Sequence, residues 1–206
     1  MGRPLIPIRR WMQRPWTGKT VPMRLFPLFI LLPLALLSAC IVEAPGGATE
    51  AERRQATVQQ LPPLTLKSGA NLGGKVEIAG ATVQPGRVVP GEPARVTVFF
   101  KVLAPLDEDY LVFVHVEDMD GKLERQNVDH KPAGGLYPTT QWKVGETVKD
   151  EFTFVVPSGA ATRGVAVWMG LWEPHADARL PLKNPEAVRN DGKDRILLAQ
   201  VPVAQR

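Results

Sequence analysis

Apolar and polar residues alternate along two segments in the second half of the chain. Residues 95–102 and 148–156 each place apolar side chains at every second position. A period of two is typical of strands that bury one face. The alternating apolar positions are Val96, Val98, Phe100, Val102, Val148, Phe152, Phe154 and Val156. The pattern therefore predicts two half-buried strands.

Other segments extend this pattern into a whole domain. Residues 110–116 and 165–171 are apolar on both faces, as central strands are, and residues 196–203 are predicted to be a final strand. Turn-forming residues separate the strands, and Asp120-Gly121 is predicted to form a hairpin turn because both residues tolerate positive φ. About seven or eight strands without a long helix predict an all-β domain over residues 71–206. We expect an immunoglobulin-like β-sandwich, with a jelly-roll as the alternative.

The N-terminal segment has a different character. Residues 1–40 hold six basic residues and no acidic one, and residues 25–39 form an apolar run interrupted by Pro27 and Pro33. A membrane-spanning helix needs roughly 20 apolar residues, so this shorter run fits the central region of a signal peptide. Met23 is an alternative start, because Met23-Arg24 directly precedes the apolar run.

The apolar run ends in Leu37-Ser38-Ala39-Cys40. This ending resembles the lipobox of bacterial lipoproteins, in which a Leu and two small residues precede the modified cysteine. The resemblance implies a signal peptide over residues 1–39, a lipid on Cys40, and a domain anchored to a membrane outside the cytoplasm, facing the periplasm or on the outer membrane. A signal anchor, or a plain signal peptide with an incidental cysteine, is the alternative.

Residues 40–70 are predicted to be a flexible tether. They are rich in Gly, Pro, Gln and charge, and a helix over residues 49–60 would have a poor apolar face. The chain has 25 basic and 21 acidic residues, and removing the six basic residues of the leader leaves 19 against 21, a formal charge of −2. Because no basic cluster remains, we expect no nucleic-acid partner. The single cysteine, Cys40, excludes a disulfide within the chain.

A longer motif runs from residue 110 to residue 203. Phe-x-His precedes an Asp-Gly turn; Gln, Asp, Pro-x-x-Gly, Pro-Thr, Trp, Gly-Glu, Asp and Pro follow, and Gly-Leu-aromatic and Arg-Leu-Pro close the pattern. The residues at these positions are Phe113, His115, Asp120, Gly121, Gln126, Asp129, Pro132, Gly135, Pro138, Thr139, Trp142, Gly145, Glu146, Asp150, Pro157, Gly170, Leu171, Trp172, Arg179, Leu180 and Pro181.

This motif resembles the extracytoplasmic β-sandwich module of some bacterial mannosyltransferase-type membrane proteins and of uncharacterised exported proteins. The resemblance covers about half of the chain. Trp172 stands where the pattern usually has Tyr. The membrane domain of the transferases is not matched, so the resemblance implies no transferase activity.

No residue pattern indicates an enzyme. The three serines, Ser38, Ser68 and Ser158, lie outside any Gly-x-Ser-x-Gly motif, and the one cysteine is expected to be acylated. A hydrolytic carboxylate pair has no supporting spacing. His115, Asp129 and His130 are metal-ligand types, but their spacing fits no metal motif. We expect His115 to be a half-buried strand residue bonded to residues 126–130, and we expect no metal or cofactor.

The remaining candidate chemistry is aromatic. Trp168 and Trp172 lie on one face of the predicted strand, with Gly170 between them, and stacking on a sugar ring would use that face. The general preference of large apolar residues for the interior favours a core position instead. The candidate ligand-binding residues are Trp168, Trp172, His115, Asp129, His130 and Arg179.

The sequence therefore supports two main functional hypotheses. The preferred one is a membrane-anchored envelope lipoprotein whose non-catalytic β-sandwich mediates protein interaction or assembly. The alternative is a module that binds an envelope glycan. A hydrolase is the weakest hypothesis.

Overall fold

Ten β-strands and one α-helix provide most of the regular structure in residues 47–205, the part of the chain that the computed structural model describes. In chain order these are α1 (Glu50–Ala56), β1 (Thr57–Val58), β2 (Leu66–Leu72), β3 (Val76–Gln84), β4 (Pro93–Val102), β5 (Leu111–Asp118), β6 (Gln126–Asn127), β7 (Thr147–Val155), β8 (Gly164–Glu173), β9 (Ala178–Arg179) and β10 (Ile196–Pro202). Short 3-10 helices at Pro132–Gly135, Thr139–Gln141 and Pro185–Ala187 lie in the connections. All the described residues belong to one compact unit.

The strands form two antiparallel sheets. The first has the order β1-β7-β4-β3-β2 and the second the order β10-β8-β5-β6, with β9 paired to the end of β8. Apolar side chains from the inner faces of both sheets meet in one core. The predicted all-β sandwich is confirmed. Seven of the ten strands in the described part of the chain are seven residues or longer.

The alternating segments lie where the pattern predicts. Residues 95–102 and 148–156 correspond to β4 and β7, and the apolar segments 110–116, 165–171 and 196–203 correspond to β5, β8 and β10. The inner positions of β4, from Val96 to Val102, are at most 1% exposed. β4 is the central strand of the first sheet, and β8 and β5 are the two inner strands of the second.

The Asp120-Gly121 pair forms a turn, as predicted. Gly121 has a φ of +67°, and its N–H donates to the carbonyl of Asp118 at 3.2 Å. The Asp118 carboxylate accepts N–H groups of Asp120, Lys122 and Leu123 at 3.1, 2.6 and 3.1 Å. The turn therefore uses the oxygens of Asp118 as caps, and the strand that follows, β6, has only two residues.

The folded domain begins earlier than the pattern predicts. Residues 50–58 form α1 and β1, and the first five residues of β2 also lie inside the stretch expected to be tether. Thr49 and Glu52 form a capping box that supports the short helix. Ala56 is buried, and β1 pairs with β7. The composition gave no sign of this structure, because the segment lacks an apolar helix face. It is held instead by the capping box and by strand pairing.

The predicted signal peptide (residues 1–39), Cys40 and residues 41–46 lie outside the described residues. Among residues 47–205, no helix is both long and apolar enough to cross a membrane.

A buried charged pair joins the two sheets. Asp150 on β7 is fully buried, and its carboxylate lies 2.8 Å from Nε2 of His130. Nδ1 of His130 lies 2.7 Å from the carbonyl oxygen of Val128, so both ring nitrogens face acceptors. Burial by itself would lower the pKa of His130, but the hydrogen bond and the charge of Asp150 outweigh it and raise that pKa. The pair therefore favours a protonated His130.

The core assignment is tested by Phe152→Ala. Phe152 is 6% exposed and its ring lies 5.6 Å from that of His130. We expect the free energy of unfolding to fall by roughly 3–5 kcal/mol, because a large aromatic side chain leaves the core. Denaturant unfolding measures this. Val155→Thr, at an exposed position of the same strand, is the matched control and is expected to change stability by less than about 1 kcal/mol. Equal effects of the two changes would contradict the assignment of faces.

The His130–Asp150 pair predicts a pH dependence of stability. A histidine whose folded pKa is raised stabilises the fold at pH values below its ordinary value of 6.5, and this contribution is lost as pH rises through the folded pKa. The stability difference between the wild-type chain and His130→Gln should therefore be larger at about pH 6 than at about pH 8.5. His175→Gln removes an exposed histidine and is the control. A difference that is constant or grows with pH would contradict the protonated pair.

Candidate functional site

The outer face of the second sheet carries a row of large side chains. The register of β5 and β8 places Leu111 opposite Trp172, Phe113 opposite Gly170 and His115 opposite Trp168. The alternate residues of β8 face the other way and are fully buried in the core; they are Val167, Met169 and Leu171. Trp168 and Trp172 are half-buried and lie outside the core cluster. The expectation that they are core residues is corrected, because the core takes the other face of the strand.

A cavity of about 490 Å³ opens on this outer face. Its lining residues come from β5, the end of β8, β9 and the loops on either side of them; they are Phe113, His115, Asp129, Trp172, Asp177, Arg179, Lys193 and Asp194. Four of the six candidate residues from the sequence are in this lining: His115, Asp129, Trp172 and Arg179. Trp168 and His130 are not part of it.

The indole of Trp172 is held in place by the hairpin that joins β8 to β9. Its Nε1 donates to Oδ1 of Asp177 at 3.0 Å. The turn itself is held by Glu173, a residue that is 7% exposed and whose carboxylate accepts the N–H groups of His175, at 2.8 Å, and of Ala176. Trp172 therefore presents a fixed, partly exposed aromatic surface at the cavity wall.

Phe113 fills the space beside Gly170. A Cβ at position 170 would lie 2.6 Å from two atoms of the Phe113 ring, so only glycine leaves room for that ring. The guanidinium of Arg179 lies 4.6 Å above the ring, and its NH1 donates to the carbonyl of Lys193 at 2.7 Å. The space above Gly170, between the two tryptophans, is thus occupied by a phenylalanine and an arginine.

Trp168 is covered by Arg195, which sequence reasoning did not identify. The guanidinium lies 4.8 Å over the indole. Its Nε donates to Asp191 at 2.9 Å, and its NH1 lies 2.5 Å from Glu117 and 3.1 Å from Nδ1 of His115. Arg195 directly precedes β10, and no pattern in the sequence places it over β8. Because of this cover, Trp172 is the tryptophan available for stacking.

His115 is a neutral donor at the cavity wall. It is 8% exposed, and burial lowers its pKa, with the positive charge of Arg125 acting in the same direction. Arg195 can only donate, so Nδ1 accepts and the ring proton is assigned to Nε2. The sequence predicted bonds from this ring to residues 126–130. The ring instead contacts Arg195, which reaches over β8 from the β10 edge of the sheet.

Three carboxylates provide acceptors around the cavity. Asp129 accepts the N–H of Val114 and Asp194 that of Leu182, both at 2.8 Å, while Asp177 holds the indole of Trp172. In each case the bonds made within residues 47–205 use Oδ1 and leave Oδ2 open. Two of these acids, Asp177 and Asp194, have positive φ values of 49° and 58°. Such backbone conformations cost energy and are concentrated at functional sites.

The donors are open as well. In the described part of the chain, Lys193 Nζ makes no hydrogen bond or ion pair, and Arg179 uses only NH1. The cavity thus combines one aromatic face with open acceptors and open donors. A ligand rich in hydroxyl groups matches this set, because each hydroxyl both donates and accepts.

The predicted metal-ligand types are not brought together. His115 faces the cavity on the outer side of the second sheet, whereas His130 faces Asp150 between the sheets. No group of three potential metal ligands occurs among the described residues. Both nitrogens of His130 are also engaged, so this ring has no nitrogen left for a ligand.

Comparisons with solved structures find similar folds, whereas no protein-family model and no curated protein matches the chain. A solved structure that it resembles is the crystal structure of the C-terminal domain of Wzt, with 14% sequence identity and a TM-score of 0.43 over 70% of this chain and 83% of that chain.

Proposed function

We propose that this chain is a non-catalytic carbohydrate-binding domain that a lipid holds at the cell envelope. The observation that supports the binding activity most directly is the partly exposed indole of Trp172, fixed by Asp177 beside a cavity of about 490 Å³. Ligand sites are typically concave, with an apolar surface and a few placed polar groups. Trp172 supplies the apolar surface for one face of a sugar ring, and the lining residues supply donors and acceptors for its hydroxyls.

The same geometry favours binding over hydrolysis. A carboxyl group that acts as a general acid needs a raised pKa, which burial in apolar surroundings provides. Asp129 and Asp177 are exposed, and Asp194 is half-buried. Each is also committed to an N–H group of the protein. These carboxylates are placed as hydrogen-bond acceptors for a ligand.

Protein interaction, the function preferred from the sequence, has less support. A stable interface buries about 800 Å² on each partner and has an apolar centre. Among residues 47–205, the exposed large apolar side chains are Leu61, Val144 and Val155, and none of them lines the cavity. They lie in three separate segments, two loops and the end of β7. These observations support a polar ligand better than a protein partner, so we make the glycan alternative the proposal.

The membrane attachment is proposed on the lipobox-like sequence before Cys40. Eight residues separate Cys40 from Thr49, the N-cap of α1. The sequence alone suggested about 30 residues of tether. Fully extended, eight residues span at most about 29 Å. A lipid on Cys40 would therefore keep the domain close to the membrane.

The anchor is tested by Cys40→Ala. We expect the variant to lose incorporation of a fatty-acid analogue and to leave the membrane fraction, because the thiol is the proposed acceptor of the lipid. Cell fractionation with metabolic labelling measures both. Ser68→Ala, inside the domain, is the control and should remain labelled and membrane-bound. A Cys40→Ala chain that keeps its label would contradict the lipoprotein proposal.

Carbohydrate binding is tested by Trp172→Ala. The detergent-solubilised chain is applied to glucose, mannose, galactose and N-acetylglucosamine oligomers and to envelope polysaccharide. We expect the wild type to bind at least one of these and Trp172→Ala to weaken that binding at least about tenfold, a loss of roughly 1.4 kcal/mol. Trp172→Phe keeps an aromatic face and should lose less.

Trp168→Ala is the matched control on the same strand, since Arg195 already covers that indole. It should weaken binding less than Trp172→Ala does. Unfolding midpoints show that each variant remains folded. Absence of binding to every sugar, or equal loss in the two alanine variants, would overturn the proposed site.

A further inference from the structure

A second cavity lies at one end of the same sheet face. It has a volume of about 240 Å³, and its lining includes Leu111, Lys131, Pro132, Pro174 and His175. Pro174 and His175 lie in the turn between β8 and β9 that Glu173 ties down. Glu173 therefore holds the part of this cavity wall that the turn provides.

The two cavities lie on either side of one cross-strand pair of side chains, Trp172 and Leu111, which we call the Trp172–Leu111 row. Leu111 lies in the second cavity, pairs directly with Trp172 of the first, and is two residues from Phe113 on the same strand. Residues 128–130 extend the pairing along β5, since His130 and Val112 exchange N–H···O bonds of 2.9 Å in both directions. Asp129 in the first cavity and Lys131 in the second are thus two positions apart on one extended segment. Such residues share a face at a spacing of about 6.5–7 Å.

The second cavity also combines apolar and polar side chains. Pro174 is exposed, Leu111 is half-buried, and Pro132 lines the cavity as a buried residue. Lys131 and His175 are exposed, and neither side chain makes a hydrogen bond or an ion pair with any part of the chain that the structure describes. These polar groups are open to a ligand that crosses the Trp172–Leu111 row.

We propose that the two cavities are consecutive subsites of one groove, so that the ligand is a linear oligosaccharide and not a single sugar. This inference rests on the proposed function. One unit stacks on Trp172, and the next units pass over Leu111 to place their hydroxyls against Lys131 and His175. Two separate ligands do not suit this arrangement, because only one row of side chains divides the cavities.

The test is the dependence of affinity on chain length, measured by calorimetry with the detergent-solubilised chain. The probes are the sugar that binds in the Trp172 experiment, as a single unit and as linear oligomers of two to six units. We expect the six-unit oligomer to bind the wild type more than sixfold more tightly than the single unit. Six identical units give a sixfold gain by number alone, so a larger gain requires contacts beyond one unit.

The double variant Lys131→Ala/His175→Ala locates those contacts. Both residues are exposed and unpartnered, so the variant is expected to fold normally, and its unfolding midpoint checks this. It should bind the single unit as the wild type does and lose most of the gain with chain length.

Each other outcome has a definite meaning. A wild-type chain that binds one unit and six units within sixfold of each other contradicts the second subsite and leaves the proposed function intact. A double variant that weakens single-unit binding as much as oligomer binding, or that keeps the whole gain, also contradicts the second subsite. A chain that binds no sugar overturns both proposals.

Discussion

The pairing of β5 with β8 is the constraint on which the candidate site depends. Both strands are central in the second sheet, and their register places Leu111, Phe113 and His115 opposite Trp172, Gly170 and Trp168. Because successive side chains of a strand point to opposite faces, a slip of one residue would send the tryptophans into the core and bring Met169 out to solvent. The buried inner residues of β8 therefore fix which face carries the aromatic side chains, and the cavity follows from that choice.

Two arginines decide which aromatic surface remains open. Arg179 lies over Phe113, and Arg195 lies over Trp168 and also contacts His115 and Glu117. Contacts of a cation with an aromatic face are individually worth about 0.5–1 kcal/mol at exposed sites, and Arg195 adds hydrogen bonds to two carboxylates. Trp172 has no arginine over its ring among the cation–aromatic contacts of residues 47–205. Its indole N–H donates from the ring edge to Asp177, a bond that does not involve the ring face. The arginines that cover Phe113 and Trp168 therefore define the site together with the uncovered ring of Trp172.

The sequence predicted the parts of this fold that depend on alternation. The strands around Val96–Val102 and Phe152–Phe154 are recognisable in the sequence because one face of each is polar. Of the six candidate ligand-binding residues, His115, Asp129, Trp172 and Arg179 lie around one cavity, whereas His130 faces Asp150 and Trp168 lies outside the lining. A helix over residues 49–60 was considered but not preferred to a tether, because its apolar face is poor and a capping box stabilises it instead. The positions of Arg195 and Lys193 could not be predicted, since they depend on how a loop of irregular backbone returns over the sheet. The partial exposure of both tryptophans could not be predicted either, because residue type alone favours the core.

The central claim is that the cavity beside Trp172 binds carbohydrate, and the indole N–H resonances of the tryptophans test it most directly. Residues 41–206 contain three tryptophans, of which Trp142 is buried with its N–H donated to the carbonyl of Tyr137 at 2.9 Å. In a ¹⁵N-labelled chain lacking residues 1–40, a titration with the oligosaccharide that the chain binds should shift the Trp172 indole resonance most and leave that of Trp142 unchanged. A titration that shifts neither resonance, or that shifts Trp142 as much as Trp172, would contradict the account.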